Sequence, residues 1–141
     1  MKTIEVKEMF RAIRKEQREI AHISEMIRAE EMLLQPQAIR YDKDKVQVSP
    51  DDKFGEICAR ISDMQEELGR SIMKLKAKQM RAEQMLMKLE NSDEREVMRW
   101  YYMTTEDGNA LTWEQVAIRM NFYKRHVLRL HGNALTHLAE L

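Results

Sequence analysis

Apolar side chains recur every seven residues in two long segments of this chain. The first ladder consists of Val6, Ile13, Ile20, Ile27 and Leu34. The second consists of Phe54, Ile61, Leu68, Leu75, Ala82 and Leu89. Spacing of this kind places one apolar stripe along an α-helix. The two ladders therefore predict helices over about residues 3–34 and 50–90.

The segment between the ladders has no sustained period and contains Pro36. It predicts a loop over residues 35–49, with Ser49 as a helix cap and Pro50 at the first helical position. Because neither stripe is buried on a single helix, the two helices should pack as an antiparallel hairpin. The predicted fold class is all-α, and residues 1–90 form a helical hairpin for oligomerisation or partner binding.

Shorter helices are predicted after residue 90. Asn91 or Ser92 can cap a helix whose first turn is acidic, and an apolar cluster follows at residues 97–102. The stretch TTEDGNA ends this helix. Thr112 is the next capping candidate, with Gln115 as the partner of a capping box.

The apolar period of LTWEQVAIRMNFYKRHVLRLHGNAL, residues 111–135, breaks once, at Asn121-Phe122, and then resumes. Two helices that cross over a short turn need a small residue at their closest approach and a turn residue that tolerates left-handed conformation. Ala117 and Asn121 meet these needs. The predicted inner apolar positions are Val116, Met120, Phe122, Val127, Leu130 and Ala134. The pattern predicts a helix-turn-helix DNA-binding domain over residues 91–141.

The second helix of this motif should begin near Tyr123. Its outward positions, which we predict to face the major groove and read bases, are Lys124, Arg125, Leu128 and Arg129. Arg and Lys can reach guanine O6 and N7, whereas Leu can touch only apolar groups such as the thymine methyl. Positions where phosphate contacts are expected are Thr112, Arg119, Tyr123 and His126.

Any electrostatic attraction to nucleic acid or membrane must come from a local patch of charge. The chain has 24 basic and 24 acidic side chains and a formal net charge of zero, so no bulk field attracts nucleic acid or membrane.

The opening segment has no apolar core of the length that a signal peptide needs, and no stretch approaches a membrane span. The one cysteine, Cys58, cannot form an internal disulfide. These features predict a cytoplasmic protein.

Catalytic motifs are not found in the sequence. There is no phosphate-binding loop, dinucleotide fingerprint or zincin motif. His126, His131 and His137 are five and six residues apart, which does not place a metal pair on one helical face, so we expect them at the surface or near phosphates. Gly132 is expected to let another helix approach closely. We expect no enzyme activity, no metal and no cofactor.

The segments DEREVMRWYYM and LTWEQVAIRMNFYKRHVLRLHGNALTHL resemble region 4 of bacterial sigma factors. The whole chain resembles small phage- and prophage-encoded regulators that place a helical hairpin before such a domain, similar to the ArpU and RinA groups. The resemblance implies a DNA-binding regulator of phage late genes in a bacterial host cell. The base-reading positions of region 4 fall on Lys124, Arg125, Leu128 and Arg129. The position that Arg125 occupies is often acidic in sigma factors, and the position that Leu128 occupies is often basic. A different DNA sequence is therefore expected.

Expected partners are double-stranded DNA, RNA polymerase and a second copy of the chain bound through the hairpin. Two alternatives are consistent with the same patterns. A phage small terminase subunit also joins a helix-turn-helix to a helical assembly domain, and it would form a large ring rather than a dimer. A coiled-coil adaptor that does not bind DNA would use the break only as a corner of its bundle.

Overall fold

The computed structural model describes residues 1–35 and 50–141. Residues 36–49, which include most of the predicted loop and the predicted Ser49 cap, lie outside this described part. Helix α1 spans Thr3–Met32 and helix α2 spans Pro50–Leu86. The all-α prediction is confirmed, and Pro50 is the first residue of α2, as predicted. Neither these helices nor the shorter ones described below are long and apolar enough to cross a membrane.

Helix α2 ends at Leu86 rather than near residue 90. The chain continues in a turn in which the Met87 N–H donates to the Glu83 carbonyl and the Leu89 N–H donates to the Leu86 carbonyl, both at 3.0 Å. Leu89, the last residue of the predicted ladder, is 4% exposed. The end of the ladder therefore packs in the core although it lies beyond the helix.

The described residues form two compact units, one of Met1–Arg18 with Met73–Leu141 and one of Glu19–Ile72. In the first unit, the start of α1 and the end of α2 share a core with helices from the last third of the chain. Its buried members are Val6, Phe10, Ile13, Ala82, Leu86, Leu89, Met98, Tyr102, Ala134, Leu135 and Leu138. The apolar stripe of α1 packs against α2 and also against helices that follow residue 90. Residues on both sides of position 90 therefore contribute to one core.

The second unit consists of the later part of α1 and the earlier part of α2. Ile23, Ile27 and Ile57 are buried there, and Arg60 Nη2 donates to Glu30 Oε2 at 3.0 Å. Phe54, the first member of the second ladder, is 49% exposed. In this unit the end of α1 meets the start of α2, and in the first unit the start of α1 meets the end of α2. The predicted antiparallel hairpin is confirmed.

Helix α3 spans Ser92–Met98, and a π-helical turn follows at Arg99–Met103. Asn91 is the N-cap, because its Oδ1 accepts from the Asp93 N–H at 2.9 Å and the Glu94 N–H at 3.2 Å. Arg99 on the π-helical turn forms an ion pair with Glu83 of α2. The predicted third helix is therefore present and is held against the hairpin.

A short antiparallel β-hairpin follows, with β1 at Thr105–Glu106 and β2 at Asn109–Ala110. Asp107 and Gly108 connect the strands with φ values of 53° and 82°. This is the turn geometry that an Asp-Gly pair favours, because both central residues of a type I′ turn need positive φ. The sequence analysis predicted only the end of a helix here. Helix α4 then spans Trp113–Met120 and helix α5 spans Lys124–Ala139.

Candidate nucleic-acid interface

The break in the apolar period is a left-handed turn between α4 and α5. Asn121 has φ 58° and ψ 41°, and its N–H donates to the Ile118 carbonyl at 3.2 Å. The Phe122 N–H donates to the Ala117 carbonyl at 3.0 Å. A left-handed residue after a helix satisfies the last carbonyl groups and redirects the chain, and Asn is among the few side chains that accept this conformation.

The inner faces of α4 and α5 are buried as the helix-turn-helix pattern requires. Val116 and Val127 are completely buried, and Ala117 and Leu130 are each 6% exposed. These residues form one cluster with Val97 and Leu111, and Met120 and Phe122 pack against it half-buried. Ala117 contributes the small side chain at the turn, so the backbones can approach closely.

The start of α4 is held by the predicted capping box. Thr112 Oγ1 accepts from the Gln115 N–H at 3.2 Å, and Gln115 Oε1 accepts from the Thr112 N–H at 2.8 Å. Trp113 stacks on Tyr101, with ring centroids 3.6 Å apart and planes within 6°. The cap and the stack fix where α4 begins relative to the π-helical turn.

Arg14 anchors the same stack from α1, a role that the sequence analysis missed. Its Nη1 donates to the Tyr101 carbonyl at 2.6 Å and to the Leu111 carbonyl at 3.0 Å. Its guanidinium lies 3.9 Å from the centre of the Tyr101 ring. Gln17 Nε2 adds a bond to the Tyr102 carbonyl at 3.0 Å. The position of the helix-turn-helix thus depends on polar side chains more than 80 residues earlier in the chain.

All four predicted base-reading residues are exposed on α5, namely Lys124, Arg125, Leu128 and Arg129. Lys124 Nζ is 2.7 Å from Glu114 Oε1, and this contact lowers the pKa of the Glu114 carboxyl. Arg129 Nη2 lies 2.7 Å from His126 Nδ1. Within the described part of the chain, Arg125 forms no ion pair. Arg125 is therefore the cation of this face that is most available to a ligand.

The predicted phosphate-contact residues have different surroundings. Thr112 is exposed but takes part in the capping box, and Tyr123 is 88% exposed at the N-cap of α5. Arg119 forms an ion pair with Glu106 at 2.9 Å and lies over the Trp100 ring. His126 packs edge-on against Phe122, and its Nδ1 faces Arg129. An acceptor role for Nδ1 places the ring hydrogen on Nε2, from which it can donate to a phosphate oxygen.

The expectation that His131 lies at the surface is wrong. His131 is 8% exposed, and the Tyr102 hydroxyl lies 2.7 Å from its Nε2. Burial lowers the pKa of His131 to about 4, with further contributions from the positive charges of Lys7 and Arg11. Burial also raises the pKa of Tyr102. Both groups are therefore neutral near pH 7, and the tautomer of the imidazole decides which of them donates.

Gly132 and His137 both lie on the exposed side of α5. Apart from chain neighbours and the backbone of α5 itself, no heavy atom of the described residues lies within 4 Å of a Cβ built on Gly132, so the expected close approach of another helix is wrong for the described helices. His137 Nδ1 is 2.9 Å from Oε2 of Glu94. Glu94 is a buried residue, with 2% of its surface exposed. This contact raises the pKa of His137. Among residues 1–35 and 50–141, no group of three His, Cys, Asp or Glu side chains could hold a metal ion.

Comparisons with protein-family models, with curated proteins and with solved structures give no match for this chain.

Proposed function

We propose that this protein is a sequence-specific DNA-binding transcription regulator encoded by a phage or prophage and active in the cytoplasm of a bacterial host. The carrying observation is the α4–turn–α5 unit, in which the inner faces are buried and the left-handed residue is Asn121. Its outer face presents cationic and apolar side chains and no acidic one at the start of α5. A helix with this arrangement suits the major groove.

Lys124, Arg125, Leu128 and Arg129 form the recognition face, and the contacts of each side chain suggest a division of roles. Arg125, free of ion pairs among the described residues, reads a base directly, and guanine is the base whose O6 and N7 match its fork. Lys124 first has to leave Glu114, from which it is 2.7 Å away. Leu128 is 41% exposed and can contact a thymine methyl group. The preferred site therefore combines guanine with thymine.

The proposed regulator activates late genes, contacts RNA polymerase and forms a dimer through its helical hairpin. Support for pairing comes from α2 and the turn that follows it. Met73 and Met80 on the helix and Met87 in the turn are 73%, 67% and 68% exposed at seven-residue spacing. Sevenfold apolar spacing on an exposed helix face is the pattern that a second helix covers in a coiled coil. A dimer would present two recognition helices to a DNA site with two-fold symmetry.

The test is selection of bound duplexes from a random DNA pool at near-physiological salt. Native protein is compared with Arg125→Ala, with Lys124→Ala/Arg125→Ala/Arg129→Ala, and with Arg81→Ala/Lys88→Ala as a control for lost positive charge. Arg81 and Lys88 line a separate cavity beside Leu138 and Leu141. We expect one motif with native protein and control, a loss of about 1–3 kcal/mol at one base pair for Arg125→Ala, and no motif for the triple variant.

Other outcomes separate the alternatives. Enrichment of a motif by a ring of many subunits, measured by sedimentation, would favour a packaging role over transcription regulation. If native protein enriches nothing, with and without RNA polymerase, the proposal is overturned and the adaptor alternative is favoured.

A further inference from the structure

Four basic side chains form a narrow stripe on the first part of α1. They are Lys7, Arg11, Arg14 and Arg18. At about 100° per residue, these positions fall within an arc of about 60° on the helix surface. The stripe is about 16 Å long at the usual helical rise. No acidic residue of segment 1–18 falls inside the arc, so the stripe carries charge of one sign.

Internal contacts leave most of this charge uncompensated. Arg14 is held by carbonyl groups and the Tyr101 ring, which do not neutralise it. Arg11 meets Glu8 at 3.4 Å, where both side chains are more than half exposed, so this contact is weak. Among the described residues, Lys7 and Arg18 form no ion pair.

The stripe lines one side of a groove that α5 borders on the other side. The groove has a volume of about 510 Å³, and Leu128 and His131 are its α5 residues. Leu128 is also one of the outward residues of the recognition face. Burial is the main cause of the depressed pKa of His131, and the nearby charges of Lys7 and Arg11 lower it further, which is consistent with their position beside the groove. The basic stripe and the recognition face are thus adjacent surfaces of one compact unit.

We infer that the α1 stripe is a second DNA-binding surface, which contacts phosphates of the backbone that borders the major groove occupied by α5. This inference rests on the proposed function and extends it. A phosphodiester backbone suits the stripe because phosphate contacts require cations in a row and no base-specific chemistry. Lys7, Arg11 and Arg18 make the contacts, and Arg14 positions the groove through its bonds to the Tyr101 and Leu111 carbonyls.

The stripe also explains how a neutral chain can bind DNA. The recognition face has only three cations, and Lys124 is partly compensated by Glu114. Three further cations on α1 would double the number of charges facing the duplex. Because each neutralised phosphate releases counterions, the added contacts would steepen the salt dependence of binding without changing the preferred sequence.

The experiment measures the dissociation constant across roughly 0.05–0.2 M salt for the duplex selected above and for a scrambled duplex. Lys7→Gln/Arg18→Gln is compared with Arg81→Gln/Lys88→Gln, which also removes one Lys and one Arg, but from α2 and the turn after it, outside the groove. We expect the first variant to weaken binding to both duplexes about tenfold, and to reduce the salt slope by roughly 1 for each side chain. The control should match native protein. Circular dichroism and thermal unfolding check that both variants fold.

Each alternative outcome has a distinct meaning. If the stripe variant binds like the control while Arg125→Ala loses the motif, the stripe inference is overturned and the proposed function stands. If the stripe variant loses binding to RNA polymerase but not to DNA, the stripe binds protein and the inference is again overturned. If native protein binds neither duplex, the proposed function fails and the stripe inference fails with it.

Discussion

At the scale of single residues, His131 shows how a helical period can identify a buried polar group. Its spacing from Val127, Ala134 and Leu138 places it on the inner face of α5, and these three neighbours are buried. The spacing among the histidines alone predicted positions at the surface or near phosphates. The three- to four-residue period of α5 was sufficient to place His131 in the core, although its Tyr102 partner could not be read from it.

The low pKa of His131 makes stability fall in acid. The folded pKa is about 4 and the ordinary value is 6.5, so the unfolded chain binds a proton over this range that the folded chain does not. Stability is complete above pH 6.5 and declines as the pH falls towards 4. Between pH 7 and pH 5 we expect native protein to lose about 2 kcal/mol more than His131→Gln, measured by urea unfolding. Equal losses in the two proteins would contradict this assignment.

His137 should act in the opposite direction. Its pKa is raised in the folded state by the contact with Glu94, so its stabilising contribution is present below pH 6.5 and is lost as the pH rises through the folded pKa. His137→Gln should therefore lower the free energy of unfolding at pH 5.5 and have a smaller effect at pH 8. An effect of equal size at both pH values would show that the ion pair does not contribute. His126→Gln, which lacks a carboxylate partner among the described residues, is the matched control.

At the scale of elements, the turns and helix caps that depend only on contacts between neighbouring residues were predicted from the sequence. The αL turn at Asn121, the capping box of Thr112 and Gln115, and the Asn91 cap depend on contacts within a few residues, and all three are present. The β-hairpin was missed although Asp107-Gly108 is its usual signal, because its strands have only two residues each. Such strands are too short to show an alternating apolar pattern.

Two glycines should respond in opposite ways to replacement by alanine. Gly132 lies inside α5 with open space around a built Cβ, so Gly132→Ala should raise the free energy of unfolding by about 0.5–1 kcal/mol. Gly108 has φ 82° in the hairpin turn, so Gly108→Ala should lower it by about 1 kcal/mol. Thermal and urea unfolding provide the measurement. A destabilising effect of Gly132→Ala would mean that another chain occupies the space beside α5.

At the scale of the whole molecule, the ladders predicted which helix faces are apolar but not which faces meet. Val6, Phe10 and Ile13 share a core with Ala134 and Leu138, residues more than 120 positions away. A seven-residue period contains no information about such a partner, because any apolar face satisfies it equally. The Arg14 bonds to Tyr101 and Leu111 were missed for the same reason.

The exposed methionines of α2 and of the turn after it provide a test of the proposed dimer. Met80 is the middle residue of the seam formed with Met73 and Met87, so it faces the partner's seam in either a parallel or an antiparallel pair. Met80→Glu would bury two carboxylates at an apolar contact and should weaken the dimer by roughly 3 kcal/mol, or about a hundredfold in dissociation constant. Because Met80 is 67% exposed in the single chain, the fold itself should persist.

Sedimentation over a range of concentrations measures this change, with Ile4→Glu as the control. Ile4 is 66% exposed on α1 and lies off the seam, so its replacement adds the same charge to a similarly exposed apolar position. We expect the control to remain a dimer and Met80→Glu to become a monomer with unchanged circular dichroism. A dimer that survives Met80→Glu would exclude this seam as the contact. A monomeric variant that still prefers the selected motif but binds it more weakly would show that pairing contributes affinity, whereas each recognition helix reads its own half-site.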